Sequence, residues 1–267
     1  MENQKLPLIA AGVVLALSAG GWLFMRRANV PAPAAQEAPA STPAATPMAA
    51  RVPQEAPISL PGLDDSDAYA AGRARSLFSQ AVPPQWLGAD GLIRRLTAAA
   101  AIVAEGDSPR DSLSFLKPRG KFKVRKAKGR VYVDPASYAR YDAVGDAAEA
   151  LDAAAAARFI NEARPLFQQA CAELNDKSCD FRAAVLRSAK QLLKTPVVQG
   201  DVRLHEKVVT WMFADPALEG LSAAQKHLLR LGPRNEAKVQ AKLRALALAL
   251  GASEADLPAP QSYTPRD

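Results

Sequence analysis

KFKVRKAKGRVYV, residues 121–133, is where the helical periodicity that governs the chain from Asp65 onward gives way to a period of two. Phe122 and Val124 alternate with Lys121, Lys123 and Arg125, and Val131 and Val133 alternate around Tyr132. Turn-forming Ala127-Lys128-Gly129 lies between the two runs, so the segment reads as a β-hairpin. Alternation sends Phe122, Val124, Val131 and Val133 toward a core and leaves Lys121, Lys123, Arg125 and Arg130 on one exposed face, with Lys126 and Lys128 carrying the charge around the turn.

Working outward from the hairpin, both flanks are helical. Toward the N-terminus, one helix is expected from about Ser66 to Ala81. A second follows Pro83-Pro84, with Leu92, Leu96, Ala99 and Val103 on one stripe and Arg94-Arg95 turned away. Toward the C-terminus, Asp152 to Leu174 places Phe159, Ala163, Leu166, Ala170 and Leu174 on one face, with a kink expected at Pro165. Ser178 is the expected cap of the next helix, whose Phe181, Val185, Ala189 and Leu192 repeat at helical spacing until Thr195-Pro196 stops it. A short extended stretch, 202–209, follows. Ser222-x-x-Gln225 is a capping box opening a helix that Gly232-Pro233 closes, and the last helix carries Val239, Leu243, Leu246 and Leu250.

The N-terminal fifth is different in kind. Leu6 to Met25 is twenty residues without a charged side chain, about 30 Å of helix and so enough to span a hydrocarbon core. Lys5 precedes it, Arg26 and Arg27 follow, and Trp22 suits an interface. A cleaved signal peptide is the rival reading. Its apolar region would be about 7–15 residues long, and Trp22-Leu23-Phe24-Met25 runs past the only plausible site, Ser18-Ala19-Gly20. Retention as an anchor is therefore expected. Gly12, Ala16 and Gly20 form a small-residue stripe that would let two such helices approach as a homodimer, though small residues are common in membrane helices anyway. From Ala28 to Ser59 the chain holds seven of its 21 prolines, eleven alanines and no aromatic residue, too little apolar surface to fold. The expected organisation is an anchor over 1–27, a disordered Pro/Ala-rich linker over 28–59, a globular domain over 60–251 and a flexible tail over 252–267. The fold class is mainly α: a transmembrane helix, a linker, and a helical bundle-like domain with one small β-hairpin.

Charge is concentrated in one place. The net charge is +7, and between Arg110 and Arg130 there are nine Lys/Arg and one acid, Asp111, so the remainder of the chain is nearly neutral. Lys121, Lys123, Arg125, Lys126, Lys128 and Arg130 are therefore the candidate anion-binding set, directed at an anionic envelope component (phospholipid head groups, lipopolysaccharide or wall polymer), with an envelope protein as the other expected class of partner. The bland alternative is a solvated edge whose lysines block strand pairing. Nucleic acid is not the expected partner, because it would require the domain in the cytoplasm and Tyr132 alone is a thin stacking platform. The expected location is the bacterial inner membrane with the C-terminal domain in the periplasm. Arg26-Arg27 weigh against that orientation, but long downstream domains translocate largely regardless of such counts.

Five strings stand out, LDDSDA at 63–68, LIRRL at 92–96, SYARYD at 137–142, FADPALE at 213–219 and, most specific, LSAAQKHLLRLGPRN at 221–235. In this order they resemble a bacterial family known as domain of unknown function 3014. The resemblance covers roughly residues 60–250. It implies an N-terminal anchor followed by a mobile spacer, and no catalytic residue. This chain departs from the pattern at Ala98-Ala99-Ala100-Ala101-Ile102, where an acidic-polar pair is expected, so any site built on that pair is in doubt here.

Chemistry-bearing constellations are few. Cys171 and Cys179 are the only cysteines. A structural bridge across the turn between two helices is the preferred reading, over free thiols or a redox pair, which would favour Cys-x-x-Cys. His205 and His227 fit no zinc spacing with them, and no metal or cofactor is expected. No nucleophile elbow, phosphate-binding loop or His-Glu-x-x-His occurs. Arg140, Tyr141, Lys226, Arg230 and Asn235 form the possible polar site, Lys226 and Arg230 lying four apart on one helix face. Two functions from different classes fit: a non-enzymatic interaction or scaffolding module of the envelope, preferred, or an envelope hydrolase using carboxylates such as Asp142, Asp215 or Glu219.

Overall fold

Helix boundaries follow local hydrogen-bonding chemistry in the computed structural model, which describes residues 59–174, 179–208 and 210–266. The expected anchor with its Gly12, Ala16 and Gly20 stripe, and the linker up to Ile58, lie outside the described residues. Among the described residues no helix is long and apolar enough to cross a membrane.

Helix α1 (Asp67–Arg75) is shorter than its apolar pattern suggested, because the chain leaves it to pair Phe78 with Leu151 in an antiparallel bridge. Helix α2 (Pro84–Leu87) is a single turn. Helix α3 (Leu92–Ala104) has no N-cap side chain of its own. Instead the Asp67 carboxylate accepts from the Gly91 and Leu92 amides at 2.9 and 3.1 Å, satisfying two orphan donors and tying α1 to α3. After the hairpin come α4 (Pro135–Ala139), α5 (Asp142–Ala150), α6 (Ala153–Glu162) and α7 (Arg164–Glu173). The kink expected at Pro165 is a full break, with Pro165 in the first turn of α7, where its missing amide proton costs nothing. Helix α8 (Phe181–Leu193) is capped by Asp180, which accepts from the Ala183 amide at 2.9 Å; Ser178, the cap expected from sequence, lies outside the described residues. Helices α9 (Pro216–Glu219), α10 (Ala223–Leu229) and α11 (Pro233–Ala249) complete the order. The capping box is present in both directions, Gln225 N–H to Ser222 Oγ at 3.2 Å and Ser222 N–H to Gln225 Oε1 at 3.1 Å.

Three apolar clusters hold these pieces. The first joins α1, α3, α6, α7 and α8 around Ile93, Leu166 and three phenylalanines, with Phe167 stacked on Phe181 at 3.9 Å and edge-on to Phe159. Cys171 and Cys179 lie in it and are joined by a disulfide, with their Cα atoms 5.4 Å apart. The alanine run of α3 has a packing role: Ala99 is buried, and Ser188 Oγ of α8 donates to the Ala100 carbonyl at 2.6 Å. Small side chains permit that approach.

The sheet is larger than one small hairpin, and the sequence expectation is corrected here. Strands β1 (Val124–Ala127) and β2 (Arg130–Val133) form the hairpin, with positive φ at Lys128 and Gly129 supplying the two-residue turn. A short pair, Val197–Val198 (β3), precedes β4 (Arg203–Lys207) and β5 (Thr210–Phe213). The order β1-β2-β4-β5 is antiparallel throughout, with Val131 opposite Leu204 and Leu204 opposite Phe213. Leu204 is the single buried residue in β4, so no alternation in the sequence announces the second hairpin.

The tail expected to be flexible is described up to Arg266 and packs back on the domain. Leu257 is buried with Ala189, Leu193 and Ala247 in the third cluster. Strand β6 (Ser262–Tyr263) pairs in parallel with β3, and the Tyr263 hydroxyl donates to Asp215 Oδ2 at 2.7 Å.

Candidate ligand-binding cavity

Between one face of the four-stranded sheet and helices α4, α9, α10 and α11 lies a cavity of about 490 Å³. The register explains its apolar walls. Val133, Leu204, Trp211 and Phe213 project from the sheet, Leu218 and Leu229 from α9 and α10, and Val198 and Val202 from the connection that leads into β4. The volume and lining fall within the range of small-molecule sites, roughly 300–1,000 Å³ with few polar groups.

Those polar groups are segregated. Lys207 and Arg230 line the cavity yet are exposed, so they stand at its mouth, as does Phe122. Half-buried Arg140 joins them: its Nε and Nη1 donate to the Ser137 and Gly120 carbonyls at 3.1 and 3.2 Å, and its guanidinium lies 5.8 Å from the Phe122 ring and 5.5 Å from Tyr141. Lys226 also lines the cavity but is engaged, its Nζ donating to the Glu219 Oε1 and main-chain O at 3.0 and 2.9 Å. Burial pushes the Glu219 carboxyl up, but the Lys226 bond and the Phe213 amide at 3.0 Å outweigh it and hold the group below its ordinary range.

Glu236 is the opposite case. It sits in the first turn of α11, only 1% exposed, and no protein group hydrogen-bonds its Oε1. Burial alone pushes its carboxyl up to about 8, so it is mainly neutral at pH 7. Tyr138 lines the same space, its hydroxyl pushed up to about 12 by burial and then by Glu236. The lining therefore holds four cations, Arg140, Lys207, Lys226 and Arg230, against one ionised carboxylate.

The corner that positions Glu236 is tightly specified. Gly232 has φ +79°, ψ 160°, and a Cβ there would lie 2.3 Å from Tyr138 Cγ, so only glycine permits the ring to close against the backbone. Asn235, fully buried, donates from Nδ2 to the Tyr138 and Leu231 carbonyls at 3.2 Å and to Asp142 Oδ1 at 3.0 Å. Gly145 makes room for it, because a Cβ at that position would meet Asn235 Oδ1 at 2.4 Å.

The sequence-derived polar set is thus split by the structure. Arg140, Lys226 and Arg230 meet at the cavity, whereas Asn235 is a helix-junction residue and Tyr141 supports Arg140 from beside it. Lys226 and Arg230 do not grip an anion as a free pair, since Glu219 occupies Lys226. Of the candidate acids, Asp142 is held low by Arg234 and then Asn235. Asp215 is buried, which opposes ionisation, but Tyr263, the Arg266 amide and the Ala217 amide together hold it low. Both are structural, and Glu219 alone reaches the cavity.

The basic hairpin is likewise divided. Arg125 pairs with Asp201 at 2.5 Å and lies 5.1 Å over Tyr132. Lys126 is opposite Val131, so it lies on the side of Val124 and Val133, not that of Arg125 and Arg130. Lys121 and Lys123 precede the strand, with the Lys123 amide and carbonyl both bonded to the Ser137 hydroxyl, and Lys128 is in the turn. Phe122, expected in the core, is 40% exposed because Arg140 holds it at the cavity mouth. His227 accepts or donates through Nδ1 to Ser108 Oγ at 3.1 Å, with burial pushing its imidazole down, and His205 is exposed on β4. Among the described residues no group of His, Cys, Asp and Glu is placed to hold a metal ion.

Glu236, Tyr138, Lys207 and, apart from the core-facing Val133, the apolar walls carry no signal in the sequence that marks them as site residues. An acid three residues past a helix-opening proline has the signature of a solvated first-turn residue, and only the tertiary fold buries it. No curated protein and no solved structure matches the chain. The family model described as "Protein of unknown function (DUF3014)" matches residues 92–247, more than half of the chain and the whole of the cavity's lining, and the protein belongs to that family.

Proposed function

We infer that this protein is a non-catalytic binding module of the bacterial cell envelope, tethered to the inner membrane through Leu6–Met25 with its C-terminal domain in the periplasm, and that the cavity beside the sheet is where it takes its ligand. The cavity is the observation that carries the reading: a well-walled apolar space with a small number of segregated polar groups. The uninterrupted apolar run and the Pro/Ala spacer support the tether. The Cys171–Cys179 bond suits an oxidising compartment. The hairpin lysines that have no acidic partner among the described residues, including Lys121, Lys126 and Lys128, supply a secondary electrostatic attraction to an anionic surface. A homodimer through the anchor's small residues would present two such domains together.

The test is site-specific capture. A photo-reactive phenylalanine analogue at Phe213, in the full chain expressed in its host, should yield an intact-mass adduct below about 1,000 Da, the size such cavities enclose. The same analogue at exposed Leu248 should not. Equal labelling at both positions, or none at Phe213, removes the cavity from the account.

One observation favours the hydrolase as a second reading: Glu219 and Glu236 line one cavity with their ionisation pushed in opposite directions, as in paired acid/base sites. Turnover of acyl esters by the full chain, abolished in Glu236→Gln, would establish it.

A further inference from the structure

We propose that the cavity takes a single-chain anionic amphiphile, its hydrocarbon chain against the apolar walls and buried Glu236, its anionic head among Arg140, Lys207 and Arg230 at the mouth. This rests on the reading of the cavity as a ligand site and adds the chemistry of the ligand.

Three features converge on that class. Val133, Val202, Leu204, Leu218 and Leu229 form one continuous apolar surface with no charged group among them, which suits a hydrocarbon chain and little else. Lys207 and Arg230 have no ion-pair partner among the described residues, and Arg140 spends its donors on main-chain carbonyls, so the three cations at the opening outnumber the one ionised carboxylate, Glu219, which is itself bonded to Lys226. A cationic amphiphile meets repulsion at that opening, and a neutral one gains nothing from it. Finally, Glu236 is buried with no ion-pair partner among the described residues and no hydrogen bond to its Oε1, and burial keeps its carboxyl mainly neutral at pH 7. Kept neutral, it tolerates a chain beside it; ionised, it does not.

This last point gives the site a pH dependence of defined sign. The groups facing Glu236 across the cavity are Tyr138 from α4, Glu219 from α9, Lys226 and Arg230 from α10, Lys207 from β4 and Arg140. Tyr138 is pushed up to about 12 and Glu219 is held low, so neither changes charge between pH 7 and 9.5. On the other side of α11, Asp146 and Glu149 are tied to Lys238, and Asp142 to Arg234. Glu236 loses its proton within that range, and ligand affinity falls with it.

The chain has three tryptophans, Trp22, Trp86 and Trp211, and of the two among the described residues only Trp211 lines the cavity. The full chain carrying Trp22→Phe and Trp86→Phe, in phosphatidylcholine nanodiscs, therefore reports occupancy through quenching of a single indole. The probes are 11-bromoundecanoate, 11-bromoundecanol and 11-bromoundecyl trimethylammonium. The carboxylate should quench with an apparent affinity at least about tenfold above the other two, and Lys207→Glu with Arg230→Glu should erase that preference. Between pH 7 and 9.5 the carboxylate's affinity should drop by on the order of tenfold or more in the wild type, and in Glu236→Gln, whatever its affinity at pH 7, that dependence on pH should be lost. Displacement by dodecanoate identifies a fatty acid source, and displacement by lysophosphatidate a phospholipid source; displacement by neither overturns the proposal. Quenching by all three probes alike, or best by the ammonium, overturns the ligand class and leaves the cavity reading standing. No quenching by any probe overturns the cavity reading itself.

Discussion

Replacing Glu236 with Gln should change how stability depends on pH, and the change can be worked out from the burial of one carboxyl. In the folded chain the group ionises near 8, against an ordinary value of 4.5. Between those values the unfolded chain has released the proton and the folded chain has kept it, so raising the pH favours unfolding by about 1.4 kcal/mol per unit. The sign is that of a raised pKa: the favourable contribution is complete below about pH 4.5 and is lost as pH rises to about 8. From pH 5.5 to 7.5 the wild type should therefore lose roughly 2–3 kcal/mol relative to Glu236→Gln. Any fixed cost of seating a buried amide in place of the acid is the same at every pH and cancels from this slope. The carboxylates held low by partners, Asp142, Asp215 and Glu219, are present in both chains and cancel as well. Urea unfolding of the full chain in nanodiscs, followed by fluorescence at half-unit pH steps, measures the difference. Parallel stability curves for the two chains across this window would mean that Glu236 is ionised or solvated in the folded state, and the neutral-acid reasoning would fail.

Gly232→Ala forces a side chain into backbone geometry nearly reserved for glycine and into the Tyr138 ring, two effects of about 1–3 kcal/mol each, so thermal denaturation should show a loss of about 2–6 kcal/mol. A loss under about 0.5 kcal/mol would show that the α10–α11 corner is not built as described. Asn235→Ala leaves the buried Leu231 carbonyl without its side-chain donor and removes the bonds to the Tyr138 carbonyl and Asp142, and should cost about 2–4 kcal/mol, whereas Arg125→Ala, which breaks an exposed pair with Asp201, should leave the unfolding midpoint nearly unchanged. Cys171→Ala with Cys179→Ala releases a short loop and should lower stability by about 2–3 kcal/mol, with reductant having no further effect on the double variant.

What sequence reveals here follows the range of the interactions involved. The capping box at Ser222 and Gln225, the Lys128-Gly129 turn and the core residues Phe159 and Phe181 are local signals of spacing and backbone geometry, and each stands where the pattern puts it. The second hairpin does not advertise itself, because β4 owes its place to pairing with β2 and exposes three of its five residues. The cavity is more hidden still. Arg140, Lys226 and Arg230 were recognisable as polar groups out of the ordinary, but Lys207, Trp211 and Glu236 reach them only once the sheet closes over α10 and α11. Glu236 in particular follows Gly232-Pro233-Arg234-Asn235 in the first turn of a helix, where an acid is favourable in water. Its burial is a property of the assembled corner, in which Gly232 admits Tyr138 and Gly145 admits Asn235. The basic hairpin shows the converse. Its charge count is plain in the sequence, but strand alternation and the Asp201 pair distribute that charge over different sides.

Crystals of the chain grown with 11-bromoundecanoate test the central claim most directly, since anomalous scattering locates the bromine without reference to any assumed pose. The account predicts a single bromine peak against Val202, Leu204 and Leu218, with the carboxylate at the mouth among Arg140, Lys207 and Arg230. A bromine on the outer surface of the domain, with the cavity closed or filled by side chains, would contradict it.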